Sequence, residues 1–170
     1  MLNSYDFSIT TNSSKFTKSF VNKHKGNIPV YGASKEENDV GYGYIEDNVE
    51  GVKYFSDCLT WNIDGSIGLF YRKGRFSLSE KVIPLILKDE FVDALDLNFL
   101  RYTILSEVEK NPFSFTNKGG KTRLGQIVIR IPCDKNGNID LDSQVIIASK
   151  YEAIHQCQDE IAKKLEAART

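Results

Sequence analysis

The sequence contains few of the residues that build disulfide frameworks or metal centres. Its three cysteines, Cys58, Cys133 and Cys157, are far apart and include no Cys-x-x-Cys pair. An odd and scattered set of thiols is typical of a cytoplasmic protein whose cysteines stay reduced. The two histidines, His24 and His155, are too distant in sequence to predict a metal site. We therefore expect neither a metal nor a cofactor.

Long hydrophobic runs and an excess of one charge are also missing. No apolar run approaches the roughly 20 residues that cross a bilayer, so we expect no contact with a membrane. Residues 1–6 lack the basic start and apolar centre of a signal peptide. The formal net charge of −1 gives no overall basic signal for nucleic acid. With 41% hydrophobic and 26% charged residues among 170, the chain has the composition of one soluble globular domain with an appendage.

Basic residues nevertheless cluster locally. Residues 111–133 contain four bases and no acid. Asp6 is the only acid before Glu36, whereas the same stretch carries several lysines. Basic segments of this kind can line one face of a protein for contact with phosphates. A solvated surface is the alternative, and the charge pattern alone favours it.

Apolar periodicity predicts an α+β fold. Short strands separated by Gly and Asp turns are predicted at residues 28–32, 40–45, 58–63, 67–72 and 81–87, with Lys73-Gly74 as a turn. Asp96 is predicted to cap a helix that ends near Pro112. The alternation of Ile127, Ile129 and Ile131 with polar or smaller residues predicts a further strand over residues 126–132.

A long helix, capped by Asp142 or Ser143, is predicted to complete the chain. The expected architecture is a mixed, mostly antiparallel sheet with packed helices over residues 1–140, followed by one coiled-coil helix over residues 141–170. Apolar residues of that helix alternate at spacings of four and three, with one glutamine in the gap, which predicts a seam for a partner helix. The seam consists of Ile147, Tyr151, Ile154, Gln158, Ile161 and Leu165.

Several stretches, in order, resemble one known family. The stretch IPVYGAS at 28–34 and the stretch GYGYI at 41–45 resemble the opening of target recognition domains in type I restriction–modification specificity subunits. The resemblance continues through DGSIG at 64–68, KGGK at 118–121, IRIP at 129–132 and QVIIA at 144–148. It covers nearly the whole chain from about residue 28.

The resemblance implies a function as well as a fold. Specificity subunits of this type hold two target recognition domains separated by two long helices, and this chain has one of each. It is therefore expected to be a half-subunit or a single recognition domain that reads double-stranded DNA and is not itself catalytic. The implied partners are DNA methyltransferase subunits, with a restriction subunit left open, and a second copy bound through the C-terminal helix.

One predicted DNA-contact patch lies in the Gly-rich loop. Glycines allow the backbone to approach phosphate, the basic side chains supply charge, and an arginine can bind guanine in a bidentate manner. These residues are Asn117, Lys118, Gly119, Lys121 and Arg123. A flexible turn with solvated lysines is the alternative.

Two further patches are predicted. Hydroxyl and ammonium groups beside glycines can bind phosphate, which points to Tyr31, Ser34, Lys35 and Tyr42. The alternative places such tyrosines in the core or on the sheet face, and we expect this for Tyr44. The third patch, on the predicted turn after a hairpin strand, is Arg72, Lys73 and Arg75. A solvated turn is its alternative.

No catalytic residue is predicted. The stretch Asn111-Pro112-Phe113 lacks the second proline of the motif with which adenine methyltransferases hold a flipped base, and no Gly-rich cofactor loop follows a strand. The rival hypothesis from another class is a protein-interaction adaptor that uses its coiled-coil helix and binds no DNA. Sequence-dependent duplex binding distinguishes the two.

Overall fold

The computed structural model describes residues 7–8, 16–63, 68–110 and 124–169, with residues 7–8 described as backbone only. Among these residues, the strands are β1 (Phe7–Ser8), β2 (Lys25–Tyr31), β3 (Gly43–Ile45), β4 (Tyr54–Asn62), β5 (Leu69–Leu78) and β6 (Val82–Leu87). The helices are α1 (Lys18–Lys23), a short 3-10 helix (Asp89–Phe91), α2 (Leu97–Lys110) and α3 (Leu141–Ala167). The arrangement confirms the predicted α+β fold with a long C-terminal helix.

The strands form one six-stranded sheet in the order β1-β6-β4-β5-β2-β3. Strands β2 and β5 pair in parallel, whereas every other neighbouring pair is antiparallel. The sheet is thus mixed and mostly antiparallel, as predicted. Its central strands β4 and β5 are longer than expected, with nine and ten residues.

The predicted turn at Lys73-Gly74 is wrong, because both residues lie inside β5. Gly74 has a φ of +71°, Asp57 opposite it has a φ of +46°, and the register of β4 against β5 shifts there. The Gly74 amide donates a hydrogen bond of 2.9 Å to Asp57 Oδ1. These are the features of a β-bulge, in which glycine kinks a strand that then continues. The bulge keeps Lys73 and Arg75 in the sheet.

The main core lies between the sheet and α2. Leu59, Trp61 and Leu69 on the sheet, and Leu100 and Ile104 on α2, each expose 4% or less of their surface. Full burial of such a side chain stabilises the fold by about 1.5–3 kcal/mol. The predicted start of α2 is confirmed: Asp96 Oδ1 accepts a hydrogen bond of 2.7 Å from the Phe99 amide.

The predicted strand over residues 126–132 is wrong, since the structure forms no strand there. Ile129 is buried, and Ile127 and Ile131 pack partly buried against the same core, while Val128 is exposed. The alternation of isoleucines with other residues therefore comes from a segment that packs one face against the core without forming a strand. The alternation predicts the buried face correctly, but it does not reveal that this segment pairs with no strand in the described part of the chain.

The start of α3 is also corrected, because its N-cap is Asp140 and not Asp142 or Ser143. Asp140 Oδ1 accepts from the Ser143 amide at 3.0 Å, and Oδ2 accepts from the Ser143 hydroxyl at 2.7 Å. The first turns of α3 share the main core through Ile147 and Ala148. The division of the chain at residue 140 stays a prediction.

Candidate nucleic-acid interface

The Gly-rich patch cannot be placed. Asn117, Lys118, Gly119, Lys121 and Arg123 all lie outside the described residues, so their contact with DNA stays a prediction. The remaining predicted residues lie on or next to β2, β3 and β5, and the structure separates exposed side chains among them from buried ones.

Ser34 and Lys35 lie in the exit loop, which we define as residues 32–37 after β2. Ser34 Oγ accepts a hydrogen bond of 3.1 Å from the Glu36 amide, and the Ser34 carbonyl accepts one of 2.7 Å from Asn62 Nδ2. Lys35 is exposed. The loop therefore presents an exposed cation beside a hydrogen-bonded backbone, an arrangement suited to phosphate contact.

Arg72 is buried, contrary to the predicted solvent-facing turn. It lies within β5 with 5% of its surface exposed, and its guanidinium carbon lies 3.8 Å from the centre of the Tyr31 ring and 4.7 Å from that of Phe70. Its Nε has no hydrogen-bond partner in the part of the chain that the structure describes. Burial lowers the pKa of the Arg72 guanidinium, while the neighbouring Tyr31 and Glu37 act in the opposite direction. In this conformation, Arg72 fixes the Tyr31 ring by cation–π contact.

Tyr42 packs inward rather than standing free. It is partly buried, and its ring centre lies 6.1 Å from that of Phe16. A Cβ on Gly32 would lie 2.8 Å from Tyr42 Cε2, so the ring needs glycine at that position. Its neighbour Tyr44, expected in the core or on the sheet face, exposes 50% of its surface. The sequence favours Tyr42 for DNA contact, but Tyr44 is the more accessible ring. Adjacent Gly-Tyr pairs do not indicate which of the two rings faces the solvent.

Lys73 and Arg75 differ in how far their charges are engaged. Arg75 donates to Asp47 Oδ1 at 2.8 Å, and its guanidinium lies 4.8 Å from the centre of the Tyr54 ring. The ion pair is about two-fifths exposed on both sides, and such pairs contribute only about 0–1 kcal/mol. Lys73 is exposed, with its ammonium 5.5 Å from the Tyr71 ring. Both cations are therefore accessible to a phosphate backbone.

The sequence patterns do not single out three residues in or next to the exit loop: Glu37, which lies within it, Asn62 and Arg101. Arg101 on α2 pairs with Glu37 and also donates to the Leu69 carbonyl at 3.2 Å. Residues 37 and 101 are 64 positions apart, and the helical pattern of α2 gives no reason to single out one polar position. The sequence carries no local signal for these contacts.

The predicted helix seam divides into two parts. Ile147 packs against the core, and the Tyr151 ring stacks on Tyr102 with centres 5.7 Å apart, so these two residues are used within the chain. Beyond them Ile154, Ile161 and Leu165 expose 53%, 58% and 58% of their surface. Gln158 lies exposed among them. None of the helices in the described ranges is long and apolar enough to cross a bilayer.

The chain matches a protein-family model described as "Type I restriction modification DNA specificity domain" over residues 7–168. No protein with curated annotation matches it significantly. The match spans both the sheet domain and α3.

Solved structures resemble the fold. The S subunit of a type I restriction-modification system from M. genitalium superposes with a TM-score of 0.59 at 16% identity, covering 98% of this chain and 41% of that chain. A chain from a structure of complex assembly and conformational transition in the type I R-M system gives 0.58 at 15% identity, covering 92% and 38%. This chain therefore spans about two-fifths of the length of both.

Proposed function

Because the chain belongs to the family of type I restriction modification DNA specificity domains, we propose that it is one recognition half of a restriction–modification complex. The family role is DNA sequence specificity. In this proposal the chain reads one half of a split DNA site, is not catalytic, and directs a partner methyltransferase in the cytoplasm. The observation that carries the proposal is the family match over both the sheet domain and the long helix. No observation favours the adaptor hypothesis.

DNA contact is proposed for the accessible cations and hydroxyls around β2, β3 and β5. Lys35 and Lys73 are exposed, Tyr44 is half exposed, and the Arg75–Asp47 pair is weak enough to exchange its carboxylate for a phosphate. Phosphate contacts of this kind fix the register of a protein on DNA, whereas base edges in the groove carry the sequence information. We assign base readout to the exit loop and the Gly-rich loop.

Partner contact is proposed for the outer part of α3, which runs from residue 152 to the end of the helix. Its exposed Ile154, Ile161 and Leu165 continue the heptad beyond the region that packs on α2. A second copy, related by a two-fold axis, would place two recognition domains at a fixed separation and read a symmetric site. Methyltransferase subunits are the other proposed partners, and a restriction subunit is left open. Linked domains bind DNA with higher avidity than one alone.

Selection from a randomised duplex pool tests the proposal. The protein is incubated at near-physiological salt with and without its methyltransferase partner, and retained duplexes are sequenced. We expect an enriched motif, split or symmetric. A folded protein that enriches no motif in either condition contradicts DNA recognition and returns the adaptor hypothesis.

A further inference from the structure

The exit loop is hydrogen-bonded to two separate elements, β4 and α2, and its partner residue on α2 is bonded in turn to β5. Asn62 at the end of β4 donates through Nδ2 to the Ser34 carbonyl at 2.7 Å. Arg101 on α2 donates through Nη1 and Nη2 to the two carboxylate oxygens of Glu37 at 3.3 and 3.4 Å. Arg101 is itself held, because its Nε donates to the carbonyl of Leu69 on β5. The Arg101 guanidinium is therefore oriented by β5 as well as by its contact with Glu37.

The loop can approach the sheet this closely only because residue 68 is glycine. A Cβ there would collide with Asn62 Nδ2 and would lie 2.9 Å from the Ser34 carbonyl oxygen and 2.7 Å from a ring carbon of Phe70. Asn62 exposes 6% of its surface, so its amide has no room to move away. The contact between Asn62 and Ser34 is thus enforced by packing.

The Arg101–Glu37 pair is more shielded than the Arg75–Asp47 pair, chiefly on the arginine side. The Arg101 side chain exposes 20% and Glu37 exposes 39%, whereas both members of the Arg75–Asp47 pair expose more than 40%. Arg101 contacts both carboxylate oxygens of Glu37, whereas Arg75 Nε and Nη2 both contact the same oxygen of Asp47. Contact with both oxygens fixes the relative orientation of the guanidinium and the carboxylate. Residues 33–39 contain only one apolar side chain, Ala33, so hydrogen bonds and this pair, not burial of large apolar groups, give the loop its shape.

We propose that Arg101 is a positioning residue for DNA readout. Through Glu37, it holds the exit loop in the shape that presents Ser34 and Lys35 to DNA, although Arg101 itself lies on a helix that packs against the core. The inference rests on the proposed function, since it concerns how that same site selects a sequence. A preorganised loop discriminates among base sequences, whereas a loose loop still contacts phosphates but adapts to many sequences.

The loop offers a matched pair of variants that separates this role from charge alone. Glu37→Gln removes the ion pair, whereas Glu36→Gln makes the same charge change one residue away on an exposed side chain. Arg101→Lys keeps the charge and the aliphatic stem but loses the bidentate geometry. Each variant is compared with the wild type in the duplex selection and in titrations of a selected and a scrambled duplex.

We expect Glu37→Gln and Arg101→Lys to reduce the ratio of specific to non-specific affinity by about fivefold to tenfold, as for loss of a partly shielded charge-assisted pair. Affinity for the scrambled duplex should stay within about twofold, because phosphate contacts dominate it. Glu36→Gln should retain the wild-type motif. Combining Glu37→Gln with Arg101→Lys should not reduce this ratio further than the poorer single variant does, since both substitutions remove the same contact between the two side chains.

The outcomes separate the two proposals. If the wild type enriches a motif and folded Glu37→Gln and Arg101→Lys proteins keep the same ratio as Glu36→Gln, the positioning role is contradicted while the proposed function stands. A wild type that enriches nothing contradicts both. Arg101→Lys gives an independent test should Glu37→Gln fail to fold.

Discussion

The two parts of α3 make opposite use of similar side chains. In the inner part, up to Tyr151, Gln144 is fully buried, and Ile147 and Tyr151 contact the main core or α2. In the outer part, from residue 152, Ile154 and Ile161 continue the same heptad but expose more than half of their surface. A heptad thus predicts that a seam exists without predicting where a partner within the chain ends and a partner outside it begins. Four variants test whether the inner part of α3 stabilises the fold and the outer part binds a partner.

The largest effect is expected at Gln144. Its Oε1 accepts from the Asp96 amide at 3.0 Å, and its Nε2 donates to the Ala94 carbonyl at 3.0 Å, so it joins α3 to the start of α2. Gln144→Ala removes the partner of both part-buried backbone groups, which should lower the free energy of unfolding by about 2 kcal/mol in urea denaturation. The matched control is Gln158→Ala on the outer part, expected to change it by less than about 0.5 kcal/mol. Equal effects would contradict the division of the helix.

The second effect concerns association through the outer part. Ile154→Asp with Ile161→Asp should weaken self-association or partner binding at least about a hundredfold, because buried charges replace apolar contacts at the seam. The domain should keep its unfolding free energy. The control is Ala153→Asp with Gln156→Asp, which adds the same charge at exposed positions outside the seam. Sedimentation velocity measures the outcome, and unchanged assembly of the seam variant rejects the seam.

A smaller effect is expected at the border between the two parts. Tyr102 on α2 stacks against Tyr151 at an interplanar angle of 11° and against His155 with centres 5.3 Å apart. Tyr102→Leu keeps an apolar side chain but loses the stacking, which should lower the free energy of unfolding by about 1 kcal/mol. Tyr44→Leu at a half-exposed position should change it less. A Tyr102→Leu protein as stable as the wild type would show that α3 is held without this contact.

The smallest effect is a pH dependence at the start of the inner part. Hydrogen bonds from the backbone and hydroxyl of Ser143 lower the pKa of Asp140 below its ordinary value. Because the folded-state pKa is the lower one, this contribution to stability is present above the ordinary aspartate pKa and is lost as the pH falls through the folded-state value. Asp140→Ala should therefore be less stable than the wild type at neutral pH, and the difference should shrink on acidification. A difference in melting temperature that is constant with pH would contradict the cap.

Features that depend only on neighbouring residues are the ones that the sequence predicts best. Asp96 was correctly predicted as a cap because an N-cap needs only the next few residues. Signals that depend on distant partners failed. The isoleucines of residues 126–132 indicate the buried face but not whether a strand pairs with them. Gly74 indicates a kink, which the sequence alone does not distinguish from a turn.

The sequence also does not indicate which polar residues have partners far along the chain, because no local pattern records such contacts. Gln144 bonds to groups 48 and 50 positions away, and Arg101 pairs with a residue 64 positions away. The sequence predicts Arg72 on an exposed turn, because it cannot show that the rings of Tyr31 and Phe70 lie against the guanidinium. The family resemblance indicates the function. The charge pattern alone favours a solvated surface over a face that binds phosphates.

Sequence-specific recognition of DNA can be measured by titrating the protein with a selected duplex and a scrambled duplex of equal length over a range of salt concentrations. Both affinities should fall with rising salt, since both complexes displace counterions from phosphates. We expect the selected duplex to remain bound more tightly at every salt concentration, by a factor of at least about a thousand in the assembled complex. Equal affinities for the two duplexes at every salt concentration would contradict it.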